Sequence, residues 1–307
     1  MGLLTRGFYM KRQGILVKNL SLGKVILRCF VSAIILLVLL LLSLIIFKNK
    51  LIFFPVEEMP LSLEDVGWEF YDVFVDGYNG KINLWYLPAP DKEAYTVILF
   101  HGNGGNLNDM IGRIILYHKL KFGVLALDYN GFGKSEGSPS EEATYQNGEA
   151  AWNYLIEQNI APEKILLHGF SLGGGVASKV ALDHKEYHNP LILDSTFTSI
   201  KDVMGYRGEF LGQIASLVVG NAFDTHSRLK EISPSHLMIF HSPEDQVVPY
   251  TLGQKNYEDY SGGPKSFVEL SGEHLDFILN QMIYDKHIYA VFGKPLSSQS
   301  DSLVPQE

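Results

Sequence analysis

Ser171 stands in Gly169-Phe170-Ser171-Leu172-Gly173, between the apolar run Ile165-Leu166-Leu167 and the helix-like stretch Gly174-Gly175-Val176-Ala177. The order is strand, sharp turn, helix, with a hydroxyl at the apex. A serine on so tight a turn sits in strained backbone, and side chains two residues to either side would collide with the strand or the helix; glycines meet that demand. Taken alone, the pattern also describes a glycine-rich strand-to-helix connection, so the chemistry has to be completed elsewhere. A serine hydroxyl becomes a nucleophile only when a base takes its proton, an acid orients that base, and donors receive the oxyanion that forms.

The chain offers ten histidines for the base. His274 follows the last strand-like run and precedes the last helix, where a loop can present its imidazole to Ser171. His236 and His241 flank one strand and are second choices, whereas His101 reads as structural and His168, within the elbow strand, as core. For the acid, Asp245 follows the penultimate strand in Glu244-Asp245-Gln246-Val247-Val248-Pro249, with Glu244 its neighbour and Asp194 the runner-up; Asp128 reads as a loop-fixing residue. For the oxyanion hole, Leu172 offers the backbone N–H after the nucleophile. Asn103 offers the second, in a loop whose glycines Gly102, Gly104 and Gly105 let the backbone approach a substrate closely. A phosphate cradle would need a Gly-Lys-Ser/Thr ending, which this loop lacks.

These residues need a scaffold that brings strand ends together. Residues 68–75 and 81–87 read as a hairpin around Asp76–Gly80. Buried-strand runs follow at 96–100, 123–128, 165–167, 190–194, 236–240 and 265–270. Helical spacing separates them at 107–120 and at 141–158, where Ser140 is an N-cap, and recurs at 251–261. A terminal amphipathic helix is expected over 275–292, and residues 199–234 read as an irregular helical region. A hairpin followed by alternating strands and helices implies an α/β fold, a mostly parallel sheet with helices on both faces. Ligands of such sheets sit at the carboxyl ends of the strands, where Asn103, Ser171, Asp245 and His274 all fall.

Charge divides the 307-residue chain. Its net charge of -9 argues against a nucleic-acid partner, and its one cysteine, Cys29, excludes a disulfide framework or a cysteine-based metal site. No metal or cofactor is expected. Residues 1–28 carry Arg6, Lys11, Arg12, Lys18, Lys24 and Arg28 and no acid, and residues 29–47 are uncharged. As a helix those apolar residues reach about 28 Å, enough to cross a bilayer's hydrocarbon core. The reading is a single transmembrane signal anchor with a cytoplasmic N-terminus and the catalytic domain on the extracytoplasmic side. A cleaved signal peptide competes, but Lys48-Asn49-Lys50-Leu51 is a poor cleavage context; a buried core helix is the third reading. Leu51–Pro55 either lies at the membrane interface or begins the globular domain. That domain runs over 51–294, and the polar residues 295–307 are expected to form a flexible tail.

His101-Gly-Asn-Gly-Gly-Asn106, Asp128-Tyr-Asn-Gly-Phe-Gly-Lys-Ser-Glu-Gly137, the Ser171 elbow, Asp194-Ser-Thr-Phe-Thr-Ser199, Asp245-Gln-Val-Val-Pro249 and Gly272-Glu-His274 together resemble the α/β-hydrolase superfamily. The resemblance is greatest to its membrane-anchored α/β-hydrolase domain-containing branch, near the serine aminopeptidase-like group. It implies Ser171, Asp245 and His274 as the triad, in the chain order expected of that superfamily, with Asn103 and Leu172 at the oxyanion hole. Asn130 replaces a usual arginine or histidine, and Leu275 a common asparagine.

The expected function is cleavage of carboxylic ester or thioester bonds through an acyl-enzyme. The partners would be a small-molecule or lipid-like acyl substrate, or an acylated protein. A serine peptidase or aminopeptidase is the alternative enzyme. A catalytically inactive membrane-tethered interaction protein is the alternative outside enzymes. Residues 199–234, with Phe210, Leu211, Ile214, Leu217, Val218 and Val219, are where a small cap or a packed helix is expected.

Overall fold

A computed structural model describes residues 22–206 and 210–293. The expected tail over 295–307 and most of the basic N-terminal segment lie outside the described residues. The chain divides into a first unit ending at Leu44 and a second beginning at Ile45. Helix α1 spans Leu22–Ile46, all but its last two residues in the first unit. Gly23–Ile46 is long and apolar enough to cross a membrane. The helix starts earlier than the uncharged run at Cys29. Lys24 and Arg28 fall in its first two turns, where long aliphatic stems are compatible with an apolar helix.

The second unit opens with the short helix α2 (Lys48–Ile52) and strand β1 (Phe54–Pro55). The hairpin expected around Asp76–Gly80 is β2 (Tyr71–Asp76) and β3 (Lys81–Leu87), paired antiparallel with Tyr71 opposite Tyr86. There follow β4 (Thr96–Phe100), the two-residue β5 (Gly104–Gly105), α3 (Leu107–Lys119), β6 (Gly123–Leu127), α4 (Glu141–Glu157), β7 (Ile165–Phe170) and α5 (Leu172–Asp183). The remainder is β8 (Leu191–Asp194), α6 (Ile200–Tyr206), α7 (Phe210–Val219), α8 (Thr225–Leu229), β9 (Leu237–His241), α9 (Tyr250–Asp259), β10 (Lys265–Glu269) and α10 (Phe277–Phe292). Ser140 caps α4, its side chain accepting from the Ala143 N–H at 3.1 Å.

The main sheet has the order β10-β9-β8-β7-β4-β6-β3-β2, parallel from β10 through β6 and antiparallel at β3 and β2. The chain passes from β4 outward to β6 and then returns across β4 to β7. The loops leaving β4 and β7 are therefore neighbours at a reversal of strand order, the position where open sheets leave a crevice. Alternation along the strands builds two cores. Ile98, Phe100, Leu167 and Leu193 pack with Trp152, Val176 and Phe223 on one face. Val97, Leu99, Ile192 and Phe240 pack with Met110, Ile114, Tyr284 and Ile288 on the other. Helices α4, α5 and α8 thus cover the first face, and α3 and α10 the second.

The second face is also held by polar groups. Asp194, at the end of β8, is fully buried and accepts from Arg113 Nη2 at 2.8 Å, from Arg113 Nε at 3.1 Å and from the Tyr284 hydroxyl at 2.7 Å. Arg113 belongs to α3 and Tyr284 to α10, so one carboxylate ties both helices to the sheet. His168 Nε2 lies 3.5 Å from Asp194, and its Nδ1 meets the Tyr117 hydroxyl at 2.8 Å. Burial alone would push the Asp194 carboxyl up, but the Arg113 guanidinium and the hydrogen bonds from His168 and Tyr284 outweigh it and hold it well below the usual carboxylate range.

One expectation is filled in and another changes. The 199–234 region forms a helical hairpin of α6 and α7 followed by α8, with Val219 buried, Ile214 and Val218 half-buried and Leu217 exposed; the side chains of Phe210 and Leu211 lie outside the described residues. Helix α10 is not amphipathic, because its first turns carry apolar side chains on the exposed side as well as the buried one.

A folded pKa below the unfolded one means that the Asp194 contribution is complete above about pH 4 and is lost as pH falls below that range. Asp194→Asn is expected to cost about 3–5 kcal/mol at neutral pH, because Arg113 is left buried without its counter-charge. The variant should also flatten the loss of stability on acidification. Urea unfolding of the detergent-solubilised chain at neutral pH and near pH 3.5 checks both.

Candidate active site

Strand β7 ends at Phe170 and α5 begins at Leu172, leaving Ser171 as the single residue that reverses the chain. Its φ of 53° and ψ of -119° lie where a side chain is strained. The turn is fastened by Ser171 N–H donating to Asp194 O at 2.8 Å and by Gly174 N–H donating to Ser171 O at 3.0 Å. A Cβ at Gly169 would strike the Gly173 backbone, and one at Gly173 would strike the Phe100 carbonyl. The two flanking glycines thus allow α5 to begin against the ends of both β4 and β7. Leu172 is the first residue of α5, where a backbone N–H has no acceptor within the helix and the helix dipole favours negative charge.

On one side of Ser171 lies the loop after β4, where Gly102 faces Ser171 and Phe170. This loop is braced from outside. Phe54 N–H donates to Asn103 O at 2.8 Å, Asn103 Nδ2 donates to Ile52 O at 3.0 Å, and β1 pairs in parallel with β5. Ile52 and Phe53 are buried in the core, and Phe54 is exposed. The stretch Leu51–Pro55 therefore begins the domain and forms one wall of the Asn103 loop. Nothing in its local sequence pattern announces a two-residue pairing. Asn106 caps α3 and, through Nδ2, holds Val56 O and Glu58 O at 2.9 and 2.8 Å.

The acid and base loops are joined to each other. Asp245 Oδ1 accepts from the Val247 and Val248 N–H groups, both at 2.8 Å, leaving Oδ2 for His274 Nδ1 at 2.7 Å. Ser242 Oγ donates to Gly272 O at 2.5 Å, and the Glu244 carboxylate accepts from Gly272 N–H at 2.6 Å, so Glu244 holds the His274 loop and does not itself meet the imidazole. Burial opposes ionisation of Asp245, but hydrogen bonds from His241, His274 and Val248 hold its carboxyl well below the usual carboxylate range. With Nδ1–H donated to a carboxylate, His274 keeps its Nε2 lone pair free to accept a proton.

His274 also stacks on Phe170, with ring centroids 5.0 Å apart and planes at 33°, which sets the imidazole beside the residue preceding Ser171. On Phe170 rests the Arg113 guanidinium, 4.2 Å from the ring centroid. Arg113 is a site support that sequence reasoning missed; a lone arginine in a helical run carries no signal of what it stacks on.

The other candidates fall elsewhere. His241 is buried, 3.5 Å from the same Asp245 Oδ2 that His274 meets, and donates through Nε2 to Val248 O at 3.0 Å. Asp194 belongs to the Arg113 clamp. His101 packs against Tyr129 and Phe132, and Asp128 accepts from Leu107 N–H at the start of α3. Asn130 bonds Gly80 O, Glu136 O and Asn147, fixing its loop. Beside Asp245 opens a cleft of about 640 Å³ lined by Tyr206, Pro243, Val247, Pro249 and Tyr250, so the end of α6 reaches its rim. Among the described residues no cluster of histidine, cysteine or carboxylate side chains has metal-binding geometry.

Residues 95–229 match a family model described as alpha/beta hydrolase fold. The alpha/beta hydrolase domain-containing protein WAV2 of Arabidopsis thaliana is 27% identical over 255 residues, covering 76% of this chain and 83% of that protein. The lysophosphatidylserine lipase ABHD12 of Bos taurus is 30% identical over 229 residues, 68% of this chain and 56% of ABHD12. Among solved structures, an esterase of Pyrococcus furiosus superimposes with a TM-score of 0.62 at 21% identity, covering 78% of this chain and 96% of that one. An alpha-beta hydrolase from Vibrio vulnificus gives a TM-score of 0.63 at 22% identity, with 75% and 82% covered. The sheet order, the strand-to-helix turn at Ser171 and these similarities agree that the chain carries the α/β-hydrolase fold.

Proposed function

We propose that this chain is a membrane-anchored serine hydrolase that cleaves carboxylic ester or thioester bonds. The observation that carries the reading is the 2.7 Å hydrogen bond between Asp245 and His274, whose imidazole packs on Phe170, the residue before the strained Ser171. Ser171 Oγ attacks the acyl carbon while His274 Nε2 takes its proton. The Leu172 and Asn103 N–H groups receive the oxyanion. Collapse of the tetrahedral intermediate expels the alcohol or thiol, protonated by His274, and leaves an acyl-Ser171 ester. Water, deprotonated by His274, attacks that ester, and the acid and free Ser171 follow. Asp245 stays ionised and holds the imidazole in the required tautomer.

The domain doing this chemistry runs over 51–294, behind a basic segment and one membrane span. The excess of Lys and Arg before the span favours a cytoplasmic N-terminus and an extracytoplasmic domain. An amphiphilic acyl substrate is favoured by the mixed lining of the cleft beside Asp245, where Pro243, Val247 and Pro249 stand with Gln246 and Thr251, and by the similarity to a lysophosphatidylserine lipase.

A fluorophosphonate probe tests the reading on the detergent-solubilised full chain. The parent should be labelled, and Ser171→Ala and His274→Ala should not, with turnover of a short ester reduced by roughly 10⁴-fold or more. A folded parent that resists the probe would instead support a catalytically inactive tethered protein. Asp245→Asn should lower kcat by about 10⁴-fold without unfolding the chain, because the imidazole loses its enforced tautomer. Phe170→Leu keeps bulk but removes the ring between Arg113 and His274; a fall in kcat of up to about 10²-fold with little change in KM is expected.

A further inference from the structure

Helix α10 holds the sheet with Asn280, Tyr284, Ile288 and Phe292, which recur every four residues and are all buried. Its opposite side carries Ile278 at 86% exposure, Met282 at 84% and Leu279 at 65%, and Leu275, between His274 and the helix, is 76% exposed. Spacings of three and four place these side chains on one stripe. A soluble helix ordinarily turns such a stripe inward, so a contiguous apolar face left in water marks an interaction surface.

A second exposed apolar group lies nearby. Phe54, Val56 and Leu61 are exposed on the segment that follows the candidate membrane span. That segment is tied to the start of α3: Asn106 holds Val56 O and Glu58 O, and Leu61 N–H donates to Asn108 Oδ1 at 3.1 Å. The beginning of α10 meets the same helix one turn later, where the Phe277 ring leaves no room for a Cβ at Gly112 and lies 4.7 Å from the Arg113 guanidinium. The two apolar groups therefore flank the first turns of α3, at the strand ends where Ser171 and His274 lie.

A bilayer is the apolar phase that connectivity supplies. The apolar stretch Gly23–Ile46 is followed after only residues 47–51 by buried Ile52, a distance of about 20 Å even fully extended. The exposed acids Glu57, Glu58, Glu273 and Asp276 adjoin the apolar residues in sequence and outnumber the exposed Lys48 and Lys50 that follow the apolar helix, a net negative balance that suits a zwitterionic lipid surface better than an anionic one. The C-terminal residues 294–307 are mostly polar and offer little apolar area to cover the stripe.

We infer that the Leu275–Met282 face, together with Phe54, Val56 and Leu61, is a docking surface for zwitterionic bilayer lipid that seats the mouth of the site on the membrane. The docking stands on exposure and chain connectivity. Only its consequence, entry of acyl substrate from the lipid phase, rests on the hydrolase reading.

The test uses the full chain with Cys29→Ser, so that Ile278→Cys, Met282→Cys or Glu157→Cys can each carry one environment-sensitive fluorophore. Glu157 is exposed at the far end of α4 and serves as the reference. In phosphatidylcholine vesicles containing acyl-chain-brominated lipid, labels at 278 and 282 should be quenched roughly twofold or more, and the label at 157 should not. Adding phosphatidylglycerol should not increase the quenching. Labels at 278 and 282 that behave like the one at 157 overturn the inference, as does disulfide cross-linking of two Ile278→Cys chains in place of quenching, which would assign the face to a second copy. Ile278→Ser with Met282→Ser should lower hydrolysis of a vesicle-borne long-chain ester about tenfold and leave a soluble short ester unaffected. A protein inactive on both esters would count against the hydrolase reading alone, since quenching reports docking without turnover.

Discussion

Close packing at one turn constrains the molecule. Helix α5 starts so near the ends of β4 and β7 that neither Gly169 nor Gly173 has space for a Cβ, and Ser171 between them is held at a positive φ. Strained backbone persists only where its surroundings over-determine it. Here they do: Asp194 O, Gly174 N–H and the Phe100 carbonyl crowd the same few ångströms. The return of the chain across β4 is what brings these groups together. A sheet built in simple sequential order would place the Gly102 and Ser171 loops on non-adjacent strands.

The same region is supported from beneath by charge. Asp194 sends its backbone carbonyl to Ser171 and its carboxylate to Arg113, and Arg113 presses its guanidinium on Phe170, whose ring lies next to His274. A buried ion pair is seldom a large net contributor to stability, since desolvation offsets much of the attraction. Its effect here is geometric. One fixed cation spans α3, the end of β8 and the ring under the imidazole, and so couples the packing of the second core to the place where proton transfer would occur.

Much of this was legible before any coordinates, for identifiable reasons. Strand ends follow from short apolar runs closed by glycine, proline or acid, and ligand sites of parallel sheets gather at those ends, so Ser171, Asp245 and His274 could be singled out from position and residue type. The parts that stayed hidden depend on contacts remote in sequence. Phe54 pairing with Gly104 leaves no local pattern. His241, a further partner of Asp245, looks like an alternative base because sequence cannot tell a ring that braces a carboxylate from one that the carboxylate orients. Helix α10 was read as amphipathic because periodicity detects the buried Tyr284, Ile288 and Phe292, yet it is insensitive to an apolar stripe on the outer side that no other element covers.

The two-residue parallel pairing of Phe54–Pro55 with Gly104–Gly105 changes where the folded unit begins. By family match the recognisable domain starts at residue 95, and by regular strands at Tyr71, but the loop carrying Asn103 is walled by residues 52–55. A proteolytic cut between Ile46 and Ile52 would part the domain from the apolar helix with that wall intact, whereas a cut only a few residues later, after Glu58, would strip it away. On the proposed reading of an anchored hydrolase, shedding would accordingly act as release or as inactivation, depending on which side of Ile52–Glu58 the peptide bond is broken.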